Sequence, residues 1–110
     1  MEEFVKGDVV VTFFPFTDMS AIKKRPALVV ADLKGENIIL CQITTKKRRD
    51  GDKIELSDSD FVEGNLDFES FIMPSIIFTS EKAAISYRLG KLKKEKISEV
   101  ENKVCEIFTR

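Results

Sequence analysis

The sequence contains no histidine in its 110 residues. That absence excludes a Ser-His-Asp triad, a Cys-His pair, a His-bearing zinc site and a two-histidine ribonuclease. There are only two cysteines, Cys41 and Cys105, so a four-cysteine metal site is excluded too. Two cysteines do not make a disulfide framework; they fit a reducing cytoplasm, as two buried thiols. Long apolar runs are also missing. Stretches such as Ala27 to Ala31 are far too short to span a membrane. The opening Met1-Glu2-Glu3 is acidic where a signal peptide would be basic. No Gly-rich phosphate loop occurs, because the glycines at 7, 35, 51, 64 and 90 are isolated. No internal repeat or low-complexity linker is present. An enzyme of this composition works with Arg, Lys, Ser, Thr, Asp or Glu, or borrows a metal on carboxylates.

What is present is enough for one domain, spanning residues 1–110. The hydrophobic fraction is 43%, too high for a disordered chain. Lys and Arg number 18 against 19 Asp and Glu, for a net charge of −1. This balance hides segregation. Ser20 to Arg49 holds eight bases and two acids, a balance of +6, whereas Asp50 to Glu69 holds eight acids and one base, a balance of −7. Local clusters matter more to a polyanion than the total does, because exposed charges are screened over a Debye length of about 8 Å. Solvated loops are the plainer reading of either block.

The chain reads mainly as short strands. Val9 to Phe14 follows a Gly7-Asp8 turn signal and is β-branched and aromatic. Phe16 to Arg25 is a polar loop, long for a simple hairpin. Pro26 to Leu33 is a second strand, apolar on both faces, and the turn Lys34 to Asn37 leads into a third. In that third strand, Asn37 to Thr45, Ile38, Leu40 and Gln42 share one face and Ile39, Cys41 and Ile43 the other. Lys53 to Leu56 is a short strand. Ser57 to Asn65 is a polar connection. Phe68 to Met73 is a strand that Pro74 stops or bends, with Ile76 to Thr79 as a possible continuation. Ala84 to Leu89 is compatible with strand or helix. From Lys93 onward Ile97, Val100, Val104, Ile107 and Phe108 follow helical spacing. The expected fold is therefore mainly β with a C-terminal α-helix, a small barrel that presents loops rather than a deep pocket.

Two segments carry more than structure. One runs through Gly7-Asp8-Val9, Phe14-Pro15-Phe16-Thr17-Asp18 and Lys24-Arg25-Pro26-Ala27-Leu28-Val29. The other is Gln42-Ile43-Thr44. With Ser70-Phe71-Ile72 and Leu89-Gly90-Lys91-Leu92 following in order, the sequence resembles the MazF/PemK family of toxin endoribonucleases of type II toxin–antitoxin systems. The resemblance implies an SH3-like barrel, a homodimer and a cytoplasmic location. It also implies sequence-specific cleavage of single-stranded RNA without metal or cofactor, through ribose 2′-hydroxyl attack to a 2′,3′-cyclic phosphate. A cognate antitoxin is implied as partner, typically a disordered segment whose acidic tail would complement the basic block.

By resemblance Arg25 and Thr44 are the catalytic pair. Arginine's fork matches phosphate oxygens, and a threonine hydroxyl can donate to a non-bridging oxygen. Taken singly, Arg25 also reads as a surface charge and Thr44 as a β-propensity choice. Around them Lys23, Lys24, Lys46 and Lys47 are candidates to line the RNA path, with Gln42 in the same motif. Phe16 is placed to stack on a base or to pack in the core. Thr17, Asp18 and Ser20 offer hydrogen-bonding groups to base edges. Lys91, Lys93, Lys94 and Lys96 oppose the helix dipole, as a solvated face or toward an anionic partner. The sequence departs from the family at one point. Where some members carry a catalytic Arg and Asp after the Ser-Tyr-Val-like strand, Met73 and Ser75 stand here. This departure keeps a second class open, a catalytically silent SH3-like barrel that binds RNA or protein. A gyrase-directed toxin on the same fold is the third.

Overall fold

A computed structural model describes residues 3–13, 23–46 and 49–110. Seven strands are followed by one helix: β1 Asp8–Phe13, β2 Lys24–Leu33, β3 Asn37–Thr44, β4 Ile54–Leu56, β5 Phe61–Gly64, β6 Ser70–Glu81, β7 Ile85–Leu92 and α1 Lys94–Phe108. All form one antiparallel sheet in the order β4-β6-β3-β2-β1-β7-β5. The sheet curls. Ile54 and Leu56 of one edge strand and Phe61 of the other meet in the same apolar cluster. The result is a half-barrel, and its first two strands, third strand and helix match the sequence pattern closely. No helix among the described residues is long and apolar enough to cross a membrane.

Alternation along the strands divides the core in two. Val9, Leu28, Cys41, Ile43 and Ile72 point to one face, where Val100 of α1 closes over them with Ile97 and Val104 alongside. Val10, Ala27, Val29, Ile38 and Leu40 point to the other, with Phe4 and Ile85. Helix α1 holds because its span contains neither Gly nor Pro and its apolar stripe has a cluster to cover. Burying a side chain such as Val100 contributes about 1.5–3 kcal/mol, more than any cap, and Lys93 at the N-cap makes no side-chain cap bond. Thr109 ends the helix, its hydroxyl donating to the Cys105 carbonyl at 2.8 Å.

Several expectations are corrected. The polar connection Ser57 to Asn65 contains a 3₁₀ turn at Asp58–Asp60 and then β5. Strand β6 does not stop at Pro74. Cys41 pairs with Ile77 and Gln42 with Met73, so Pro74, Ser75 and Ile76 bulge out of the ladder, and proline's missing N–H is not needed there. Ala84 to Leu89 resolves as strand, entered through a 3₁₀ turn at Lys82–Ala84. Phe108 is 70% exposed, because the last turn of α1 runs past the core. Cys105 is exposed on α1, so only Cys41 is a buried thiol. Burial pushes the Cys41 pKa up to about 12.

The Gly7-Asp8 opening is a clasp. Gly7 N–H donates to the Val29 carbonyl at 2.9 Å, and the Gly7 carbonyl accepts from Leu92 N–H at 3.0 Å. Its φ is +97°, and a Cβ there would lie 2.5 Å from Ile97 Cδ1, so only glycine lets the turn meet the helix. Asp8 is buried and accepts from Val5 N–H at 2.9 Å, with Arg88 at 3.4 Å to balance its charge. Gly90 is a close crossing of another kind. A Cβ on it would sit 2.3 Å from the Glu63 carbonyl oxygen, where β5 passes over β7.

Candidate functional site

The second face of the sheet changes character along its length. At one end it is the apolar cluster around Val29, Ile38 and Leu40. At the other end it carries Thr12, Arg25, Gln42 and Thr44. Register explains why they share that end. Thr12 pairs with Arg25 across β1 and β2. Ala27 pairs with Gln42 across β2 and β3, the last pair of that ladder, and extending its antiparallel sense by two residues points Arg25 toward Thr44. Neighbouring strands lie about 4.8 Å apart, so these side chains are adjacent.

Each group has a defined role in the packing. Thr12 is buried and donates its hydroxyl to the Ala84 carbonyl at 3.2 Å. Thr44 is 4% exposed and its Oγ1 accepts the Lys46 N–H at 3.2 Å. That bond uses an oxygen lone pair and leaves the hydroxyl proton to be donated. Gln42 is buried beside it. Arg25 is half-buried, and among the described residues no carboxylate lies within ion-pair distance of it. A guanidinium so placed, beside a hydroxyl donor, suits an anion better than it suits the core.

The surrounding lysines stand where loops leave the sheet. Lys23, Lys24 and Lys46 are exposed, and the Lys24 ammonium lies 5.4 Å from the Phe13 ring centroid. Lys24 and Phe13 belong to the helix-side face, so Lys24 is not on the face of Arg25 and Thr44. Phe16, Thr17, Asp18, Ser20 and Lys47 lie outside the described residues.

The departure from the family pattern has a structural answer. Met73 is buried and pairs with Gln42. Ser75, exposed in the bulge, donates its hydroxyl to Asp50 at 2.6 Å. That bond, with the Asp52 N–H next in importance, holds the Asp50 carboxyl below its ordinary pKa. Two residues that sequence reasoning missed also belong here. Phe71 pairs with Thr44, and Lys53 places its ammonium 5.7 Å from the Phe71 ring centroid. Only the long-range β3–β6 and β4–β6 registers reveal them.

Half of the acidic block is engaged in the fold through its side chains, Asp50 with Ser75 among them. Asp52 pairs with Arg110, Glu63 with Arg88 at 2.8 Å, and Asp60 bonds Ser57 N–H and lies 3.7 Å from Lys96. Lys96 also bonds the Glu55 carbonyl, so it serves the fold rather than a partner. Lys93 and Lys94 are exposed.

Comparison with known proteins decides the family. The sequence model for PemK-like, MazF-like toxins of type II toxin–antitoxin systems matches residues 5–108. The chain belongs to this family. No curated protein matches its sequence. Solved structures match its fold throughout. An endoribonuclease from Mycobacterial species, in complex with its cognate antitoxin, superposes with a TM-score of 0.76 at 14% identity, over 97% of this chain and 96% of the other. A chain of the MazE–MazF crystal structure (Form-III) from Deinococcus radiodurans gives 0.74 at 16% identity, over 96% and 95%. The Mycobacterium tuberculosis toxin MazF-mt6 gives 0.72 at 17%, over 93% and 96%. Within the MazF/PemK family, the curled antiparallel sheet with a closing helix is thus the expected SH3-like architecture.

Proposed function

We propose that this MazF/PemK-family toxin is an endoribonuclease that cleaves single-stranded RNA sequence-specifically and without metal. The observation that carries the proposal is the pairing of Ala27 with Gln42, which, continued two residues along the same two strands, sets Arg25, uncommitted to any described carboxylate, toward Thr44. The structural likeness to proteins described as endoribonucleases supports it.

The reaction asks little of titrating side chains. The ribose 2′-oxygen attacks the adjacent phosphorus and loses its proton. The bond from phosphorus to the 5′-oxygen breaks, and that oxygen leaves protonated. The products are a 2′,3′-cyclic phosphate and a 5′-hydroxyl. Because the nucleophile is part of the substrate, the protein supplies orientation and charge stabilisation. Arg25 holds the non-bridging oxygens and offsets the charge that grows on the phosphorane. Thr44 donates its hydroxyl to one of them. Arginine stays protonated throughout, so its contribution is electrostatic. Gln42, Lys23, Lys24, Lys46 and Lys47, with Phe16, Thr17, Asp18 and Ser20, are proposed to hold the RNA strand, Lys24 from the helix-side face. The partners that go with this reading are a cognate antitoxin and a second copy of the chain in a homodimer, in the cytoplasm.

The test uses purified protein and single-stranded RNA in EDTA. Cleavage is expected, and Arg25→Ala is expected to lower it about 10²–10³-fold with the fold intact. Cleavage unaffected by that change overturns the assignment. A second reading, an RNA- or protein-binding barrel without catalysis, is favoured by the burial of Thr44 and by Met73 and Ser75. Binding without cleavage across a broad RNA panel selects it.

A further inference from the structure

We infer that the cavity between the two edge strands, β4 and β5, is a docking site for an arginine side chain carried by a basic segment of another protein. The inference does not depend on the endoribonuclease reading. It gives a role to the half of the acidic block that the fold does not use.

Asp50, Asp52, Asp60 and Glu63 are held by Ser75, Arg110, Ser57 and Arg88. The other four acids, Glu55, Asp58, Asp67 and Glu69, are exposed. Their carboxylates make no ion pair among the described residues. Glu55 stands apart, but Asp58, Asp67 and Glu69 all line one cavity of about 230 Å³. The pairing of β4 with β6 gathers them. Leu56 pairs with Ser70 at the end of that ladder. The chain leaving β4 runs on through Asp58, and the chain entering β6 arrives through Asp67, Phe68 and Glu69, so both flank the same pair.

The floor of the cavity is apolar and fixed. Leu56 is 2% and Phe61 8% exposed, and both belong to the helix-covered cluster, with Leu66 packed against it. The wall is the Phe68 ring, which is 73% exposed. Its backbone is pinned, because the buried Ser70 hydroxyl donates to the Phe68 carbonyl at 2.8 Å. No base lines the cavity. Lys96, which reaches Asp60 from α1, is already bonded to Glu99 and to the Glu55 carbonyl.

Size and chemistry together select the occupant. The cavity is smaller than the roughly 300–1,000 Å³ of small-molecule sites, and a single side chain fills it. An apolar floor, an exposed ring and three uncompensated carboxylates suit a long apolar stem that ends in a cation. Arginine matches all three, since its plane stacks on a ring while its fork reaches two carboxylates at once. RNA phosphates are repelled here. The floor residues lie on the helix-covered face, so an occupied cavity leaves the face of Arg25 and Thr44 open.

The test uses a short fluorescein-labelled peptide of alternating arginine and glycine, followed by fluorescence anisotropy at physiological salt. Binding is expected, and the same peptide with citrulline for arginine should not bind. Phe68→Ala and Asp67→Asn are each expected to weaken binding about 2–5-fold, with melting temperature and RNA cleavage unchanged. Glu55→Gln removes the same charge away from the cavity and should leave the affinity unaltered. Equal effects of Asp67→Asn and Glu55→Gln, with none from Phe68→Ala, mean diffuse attraction and overturn the inference. A lysine peptide that binds as well as the arginine peptide overturns the choice of arginine. A peptide that does not bind, with self-association that Phe68→Ala abolishes in sedimentation, assigns the cavity to a second copy of the chain and also overturns it.

Discussion

Arg25 and Leu28 sit three residues apart on β2 and leave it on opposite faces. Leu28 is 1% exposed in the cluster that α1 covers. Arg25 is half-buried at the polar end of the other face. The helix-covered face is apolar from β4 to β5, whereas the opposite face is apolar around Val29 and Leu40 and mixed at its other end. The difference teaches where each property resides. Removal of apolar surface from water is concentrated where the helix closes the core. The polar end carries arginine, glutamine and threonine, of which Thr12, Gln42 and Thr44 are buried and Arg25 is half-buried. Chemistry and stability are then separable by mutation, residue by residue along one strand.

The largest effect comes from that pair. Arg25→Ala should lower the cleavage rate about 10²–10³-fold, the cost of losing one preorganised charge stabiliser, with the thermal midpoint unchanged. Leu28→Ala should do the reverse, costing about 2–5 kcal/mol of stability in denaturant melts while the folded fraction cleaves normally. If both variants lose stability and activity together, the two faces are not independent. Thr44→Val should slow cleavage about 10–100-fold, because a hydrogen bond to a charged oxygen is worth about 1.5–3 kcal/mol; Thr44→Ser should keep most of the rate. Gly90→Ala should cost about 1–3 kcal/mol, read by thermal melting, because its methyl group meets the Glu63 carbonyl 2.3 Å away.

The smallest effect concerns pH. Ser75 holds the folded Asp50 carboxyl below its ordinary pKa, so the contribution is present above about pH 4 and is lost as pH falls through the lowered value. The stability gap between wild type and Ser75→Ala should be flat at neutral pH and close in acid. A gap that widens in acid would contradict the hydrogen bond's direction.

The elements that were legible in the sequence are those with strong periodicity. Strand β3 alternates Ile38, Leu40 and Gln42 against Cys41 and Ile43, and both faces are buried as that pattern requires. The apolar stripe of α1 is as clear at Val100 and Val104. Strand β5 was not legible. It is four residues long, only Phe61 of it is buried, and its partner β7 lies far along the chain. Pro74 misled for a physical reason, since a bulge tolerates what a ladder does not. In the site, Arg25 and Thr44 were reached through resemblance. Their juxtaposition depends on a strand register, shifted by a bulge between Val29 and Ala31, that no local pattern encodes. Lys53 went unnoticed for the same reason, as a lone base at the head of an acidic block.

The two outermost strands are short, three residues in β4 and four in β5, and each carries an exposed glutamate, Glu55 or Glu63. A sheet edge is where another chain can add itself by backbone pairing, and short charged edges discourage it. An extended peptide arriving at β4 or β5 themselves would find only a few unpaired backbone groups to pair with. Recognition at these two strands must therefore be written in side chains, which leaves a partner free to change its sequence at one contact without losing its hold on the rest.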